Sequence, residues 1–273
     1  MSHPCQLEIL HHPPTRAPLS APPLLFVHGA YAGAWCWQDH FLPWFAARGY
    51  DCYALSLSGH AGSAGRERLD RLGLGDFLGD IERAVGQLPA TPILIGHSLG
   101  GYLAQRFARK HAVAGLALLG SVPPMGLVNS LGHMMFSSPH LLMGLNQFQW
   151  HTGAIDFDPA VLKQLLFSTQ MPRDRLATFA ARVQPESALA LAELMLPQPW
   201  LAWGIPEHVP CLVLGAEADR VIPAADVRAT ARAWGVEARF LPQLGHAMMA
   251  DMGWESVAQH LADWLQTVAP GAE

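Results

Sequence analysis

The feature that most narrows the fold is an alternation of short apolar runs with longer helical patterns, interrupted once and then resumed. Between residues 22 and 121 the runs PPLLFVHG (22–29), DCYALSL (51–57), TPILIG (91–96) and VAGLALLG (113–120) read as strands. The stretches WQDHFLPWFAARGY (37–50), 74–87 and LGGYLAQRFARKH (99–111) read as helices, the first stopped by Gly49. The third gathers Arg106, Arg109, Lys110 and His111 near its end, where cations suit the helix dipole. The alternation returns with HVPCLVLGAEAD (208–219, strand and turn), AADVRATARAWG (224–235, helix), VEARFLPQLGH (236–246, strand into a loop) and SVAQHLADWLQTV (256–268, helix). Strands that alternate with helices build βαβ units, so the expected class is α/β with a mostly parallel central sheet flanked by helices.

The interruption has a different texture. Pro123, Pro124 and Gly126 break the pattern, and a Met-, Leu- and Phe-rich run follows. Helical stretches then come near 159–169, 173–183 and 186–196. The expected organisation is a core domain in two parts, 1–121 and 208–273, with a helical insertion at 122–207.

Composition limits what such a chain can do. Charged residues are 14% of the 273, well below the usual share of about 25%, while hydrophobic residues are 51%. That balance suggests apolar surface used for a lined pocket or an interface, and a homodimer is one possible use of it. The net charge is −5 and there is no basic run, which argues against a nucleic-acid partner. Cys5, Cys36, Cys52 and Cys211 are scattered and read as free thiols rather than a disulfide framework. No secretory signal and no apolar run of membrane-spanning length is evident, so a cytoplasmic protein without stable membrane insertion is expected.

The chemistry centres on Gly96-His97-Ser98-Leu99-Gly100, a G-x-S-x-G pattern set between an apolar strand and a helix. A tight strand–turn–helix lifts a serine hydroxyl clear of the sheet, and the helix N-terminus points N–H groups at developing negative charge. A serine needs a base to take its proton. His246 follows the last apparent strand and fits the chain order serine, acid, histidine; His97 should point away from the hydroxyl, and His260 lies mid-helix. The orienting acid should end the preceding strand, which favours Asp219 over Glu217. Oxyanion donors are expected from the N–H groups of Leu99 and Ala30, with Tyr31 next, and His28, Gly29 and Tyr31 should border the substrate.

These residues carry a resemblance. VHGAYAGAWCW (27–37), GHSLGG (96–101), GAEADRVIP (215–223) and GHAMMAD (245–251) resemble the α/β-hydrolase superfamily, and HGAYAGAWCW is especially similar to its plant methylesterase and hydroxynitrile lyase branch. The resemblance implies a core sheet of about eight strands, a helical cap inserted before the acid, Ser98, Asp219 and His246 as triad, and Ala30 and Leu99 at the oxyanion positions. Related dehalogenases and epoxide hydrolases carry Asp where this chain has Ser98, which counts against both chemistries.

No P-loop and no H-E-x-x-H pattern occurs, His208 and Cys211 alone do not make a zinc site, and no cofactor or metal is expected. Gly59, Gly62 and Gly65 read as a flexible loop near the site mouth. Met125, Met134, Met135, Phe136, Leu141, Leu142, Met143, Phe148 and Trp150 either pack the cap or line an apolar acyl pocket. The expected function is therefore cleavage of a small-molecule carboxylic ester with a hydrophobic acyl or alcohol group, through an acyl-enzyme on Ser98. The alternatives are a cofactor-free lyase, a C–C bond hydrolase or an acyltransferase on the same residues, or a ligand-binding protein on the same scaffold.

Overall fold

A computed structural model describes residues 6–150, 159–196 and 208–268. Seven strands form one sheet: β1 (Glu8–His12), β2 (Leu24–Val27), β3 (Cys52–Ser56), β4 (Ile93–His97), β5 (Gly115–Leu119), β6 (Cys211–Ala216) and β7 (Ala238–Leu241). Their order across the sheet is β1-β3-β2-β4-β5-β6-β7. All neighbouring pairs are parallel except β1 with β3. The α/β expectation holds, with one strand fewer among the described residues than the resemblance implies.

The middle strands are continuous apolar runs because helices cover both faces of a parallel sheet. Every residue of β2, β4 and β5 is buried. Fully burying each Leu, Val, Ile or Phe side chain contributes about 1.5–3 kcal/mol relative to exposure. Alternate side chains feed two cores, one on each face. Leu24 and Phe26 point to a layer holding Trp37, Phe41 and Phe45; Leu25 and Val27 point to one holding Phe77, Tyr102 and Leu103.

The covering helices are α1 (Trp35–Gln38), α2 (Phe41–Ala46), α3 (Leu74–Val85), α4 (Leu99–Ala108), α10 (Ala224–Ala233) and α11 (Trp254–Val268). The chain from β5 to β6 holds α5 (Val128–Ser137), α6 (Pro139–Trp150), α7 (Pro159–Leu166), α8 (Arg173–Ala180) and α9 (Ala188–Leu194), with no strand among its described residues. No helix among the described residues is long and apolar enough to cross a membrane.

Two local expectations change. The single helix expected at 37–50 is two short ones, broken at His40 (φ −129°, ψ −62°). Pro43 falls in the first turn of α2, where its missing N–H costs nothing, so the sequence restarts a helix rather than continuing one. The glycine loop after β3 is pinned, not loose. Gly59 N–H donates to Ala64 O, Ser63 N–H to His60 O and Ala64 N–H to Gln6 O, while the Gln184 side chain donates to Gly59 O and accepts from Ala61 N–H.

Candidate active site

Ser98 sits between the end of β4 and the first residue of α4 with φ 51° and ψ −117°. A side chain at positive φ is strained, and such strain persists only where its surroundings enforce it. Here Ser98 N–H donates to Leu119 O, and Ser98 O accepts from both Tyr102 N–H and Val122 N–H. The turn also needs glycine on its inner side. A Cβ at Gly100 would lie 2.3 Å from His28 O and 2.4 Å from Val27 O.

The loop after β7 brings His246 to the same place. His246 Nδ1–H donates to Asp219 Oδ2 at 2.8 Å, and both side chains are almost wholly buried. Asp219 Oδ1 accepts from Val221 N–H and Ile222 N–H, each at 2.8 Å, which fixes the carboxylate. With Nδ1 holding the proton, Nε2 carries the lone pair. Glu217, the other acid considered, is exposed and has no bond to the imidazole. His260 bonds to Ser256 O within its own helix.

Ser98 and His246 line one cavity of about 410 Å³ together with Ala30, Tyr31 and Leu99. Leu99 N–H is the first of α4 and has no intrahelical acceptor. Ala30 N–H has no hydrogen-bond partner among the described residues. Both donors expected for an oxyanion therefore border the cavity that holds the serine.

Two expectations on this loop need correction. His28 does not border the cavity: it is fully buried, its Nε2 accepts from Leu57 N–H at 3.0 Å and its Nδ1–H donates to Gly29 O at 2.8 Å. Burial and the neighbouring His60 push its pKa down to about 3, so the ring stays neutral. Gly29 does not border the cavity either. It is the point where the loop touches the serine turn, and a Cβ there would lie 2.7 Å from His97 Nδ1 and 2.9 Å from Ser98 Cβ. Tyr31 does border it, but its phenol ring is also an anchor, packed edge-on to Phe148 at 5.3 Å.

His97 donates from Nε2 to the backbone carbonyl of His246 at 2.9 Å, tying the serine turn to the histidine loop. Burial, with His246 close by, holds its pKa well below the ordinary imidazole value.

The rest of the wall is apolar and comes largely from the helices between β5 and β6, including Leu131, Met134, Leu145, Phe148, Leu165 and Leu191. The Met- and Phe-rich segment is split in its use. Met134, Leu142 and Phe148 line the cavity, Leu141 packs beside it, and Met125, Met135, Phe136 and Met143 are exposed. Trp150 lies at the end of α6, and its side chain is outside the described residues, as is Cys5. Cys36 and Cys52 are buried free thiols, Cys211 is half-buried, and burial raises the pKa of each. Among the described residues no three His, Cys, Asp or Glu side chains cluster as a metal site.

Two buried carboxylates that sequence reading passed over brace the site. Asp251 Oδ2 accepts from Gly245 N–H and Ser168 N–H, and Oδ1 accepts from Ser168 Oγ–H and Met252 N–H. Glu186, in the turn between α8 and α9, faces His60 Nε2 at 3.1 Å and accepts from Ser187 N–H and Tyr31 N–H. Nothing in the local pattern around either residue marks it, because their partners lie 83 and 126 or more residues away along the chain or on short turns.

A sheet of this order with a serine at the β4–α4 turn defines a hydrolase-type α/β scaffold. The family model of the alpha/beta hydrolase family matches residues 24–260, and the chain belongs to that family. Solved structures of similar fold include a thermophilic esterase from Thermogutta terrifontis (18% identity, TM-score 0.71, covering 97% of this chain and 94% of that one). They also include a monoacylglycerol lipase from Paleococcus ferrophilus (18%, 0.70, 96% and 99%) and an esterase from Exiguobacterium antarcticum (17%, 0.73, 96% and 96%). At these identities the likeness concerns the fold. No curated protein sequence matches this chain.

Proposed function

We propose that this chain is a serine esterase acting on carboxylic esters with a hydrophobic acyl or alcohol group, with residues 122–207 as its cap. The observation that carries the reading is the strained Ser98 turn opening on the same cavity as His246, whose far nitrogen is bonded to the buried Asp219. In the first half, Ser98 Oγ forms a bond to the ester carbonyl carbon while its proton passes to His246 Nε2. The carbonyl electron pair moves to oxygen, where the N–H groups of Ala30 and Leu99 stabilise it by about 3–4 kcal/mol each. Collapse breaks the C–O bond, and the alcohol leaves with the proton from His246. Water then repeats the sequence on the acyl-enzyme, giving the carboxylic acid and restoring the serine. Asp219 keeps the imidazole in the right tautomer and stabilises the imidazolium as it forms.

The apolar wall supports an apolar acyl or alcohol group as the part that is bound. The test is a panel of p-nitrophenyl esters run on wild type and Ser98→Ala together, with a fluorophosphonate probe as readout of an activated serine. Wild type is expected to label and to favour longer chains, and Ser98→Ala to lose both turnover and labelling while staying folded. Retained turnover in Ser98→Ala would exclude the assignment, and equal rates from roughly two to ten carbons would exclude the apolar acyl pocket.

A further inference from the structure

The Ala30–Tyr31 loop is held on both sides by fully buried groups that do not reach the cavity. On one side, the Gly29–Ala30 peptide has its carbonyl bonded to His28 Nδ1–H, and His28 is locked in that tautomer by Leu57 N–H on its other nitrogen. On the other side, Tyr31 N–H donates to Glu186 Oε2 at 3.4 Å, and Tyr31 O accepts from Gln184 N–H at 3.0 Å. Between these bonds Tyr31 is held at φ 66°, a left-handed conformation that a bulky side chain rarely adopts. The loop that carries the Ala30 N–H, the donor expected for the oxyanion, is therefore held by contacts outside the cavity.

Glu186 is the centre of this support. Its side chain and that of His60 are both wholly buried and face each other at 3.1 Å. Gln149 closes the far side, its amide donating to Glu186 O and accepting from Glu186 N–H. A buried carboxylate is stable only when paired and hydrogen-bonded, and this one has His60, Ser187 N–H and Tyr31 N–H. Burial works against both charges, but their mutual attraction and hydrogen bond outweigh it. His60 is left above its ordinary pKa and Glu186 below its own. The acceptor that Tyr31 N–H meets at 3.4 Å is thus a carboxylate paired with a buried imidazole rather than a neutral amide oxygen.

We infer that Glu186, paired with His60, is a positioning residue for transition-state stabilisation: it holds the Ala30–Tyr31 loop so that Ala30 N–H meets the oxyanion. The inference rests on the esterase reading above. It also makes the turn joining two inserted helices part of the machinery that binds charge at the reacting carbon. Losing an oxyanion donor outright costs about 10²–10³-fold in kcat, and misaiming one costs less.

The experiment compares wild type with Glu186→Gln, checked for folding by circular dichroism. Three quantities are read: kcat, KM, and the affinity of an alkyl boronic acid relative to the straight-chain alcohol of the same length. Boron takes the Ser98 oxygen and places a negative oxygen in the hole, whereas the alcohol fills only the apolar cavity. Glu186→Gln is expected to lower kcat about 10- to 100-fold and boronate affinity in parallel, with KM and alcohol affinity within about twofold. Should Glu186→Gln not fold, the pair Glu186→Gln/His60→Gln removes two opposite charges and keeps a neutral acceptor. It is expected to lose about 3- to 10-fold in kcat and boronate affinity. Unchanged boronate affinity in whichever variant folds, or equal losses for boronate and alcohol, overturns the inference. If wild type itself shows no Ser98-dependent labelling, it is the esterase reading that fails instead.

Discussion

At the residue scale, the site divides into groups legible in the chain and groups that only folding reveals. Ser98 directly follows β4 and His246 lies in the loop after β7, so position along the chain was enough to select them, whereas the acid was narrowed only to the turn after β6. The choice between Asp219 and Glu217 was not settled by sequence, since both follow β6 within three residues. Their surroundings differ sharply: Asp219 is held by two backbone N–H groups and faces His246, whereas Glu217 is in solvent. Asp219→Asn puts an amide against Nδ1 and favours the wrong tautomer. It is expected to lower kcat about 10³- to 10⁴-fold with little change in KM, while Glu217→Gln stays within about twofold of wild type. Steady-state kinetics on the two variants decide it, and the reverse ranking would reassign the acid. His28 shows the opposite failure. A histidine beside a glycine turn looks like a site residue, but both its nitrogens are consumed by backbone groups behind the loop.

At the element scale, what the sequence made plain was the set of buried strands and the longer helices. β2 and β5 are apolar at every position, and β4 is apolar until it ends in His97 at the serine turn, because both faces are covered, and that pattern has no other easy reading. β1 escaped notice for the converse reason. It is an edge strand with partly exposed residues on both faces, so no clean alternation marks it, and Pro13 and Pro14 follow at once. The contacts between helices α5–α9 and the loops that carry the candidate residues were likewise invisible, because each joins residues far apart in the chain. Asp251 joins the end of α7 to the turn before His246 through four donors. Asp251→Asn is shape-conserving, yet an amide must aim its NH₂ at donors that already point inward. Leaving one or two buried donors unsatisfied costs about 1–3 kcal/mol each, so a total loss of about 3 kcal/mol is expected. The urea midpoint measures this. Kinetics below the unfolding transition should also show reduced kcat, since His246 N-terminal support is weakened; a midpoint equal to wild type would show the four bonds to be replaceable.

At the scale of the whole molecule, composition and architecture connect. Residues 111–155 contain no Asp, Glu, Lys or Arg, and it is this stretch that supplies α5 and α6 to the cavity wall. The low overall charge noted in the sequence is therefore concentrated where the chain covers the serine. Three of the polar side chains that remain buried, His28, His97 and Glu186, are bonded to the loops around Ser98, and they help set how the fold responds to acid. His28 and His97 are both buried neutral, with pKa values pushed below the ordinary imidazole range by burial. For such groups the unfolded chain binds a proton that the folded one refuses, so stability is full above about pH 6.5 and falls as the pH drops below it. His60 acts with the opposite sign, since its pKa is raised: between pH 6.5 and 5.5 the unfolded chain is still taking up this proton, which offsets at most about 0.3 kcal/mol of the loss, and further down it is protonated in both states. The stability that Glu186 contributes is lost only further down, below its ordinary value of about 4.5, because its pKa is lowered. Asp80, raised by burial, offsets part of the loss as its carboxyl takes up a proton in the folded state first. Between pH 6.5 and 5.5 the two histidines together should remove about 2 kcal/mol, read as a lower urea midpoint at the more acid pH. His28→Asn keeps a side chain that can still donate to Gly29 O, lacks a titrating ring, and should show about half that slope if it folds. A midpoint that held steady or rose on acidification would mean that the ring nitrogens behind the serine turn find protons without opening the fold, and that their bonds to Gly29 O, Leu57 N–H and His246 O do not hold the Ala30 and His246 loops in place.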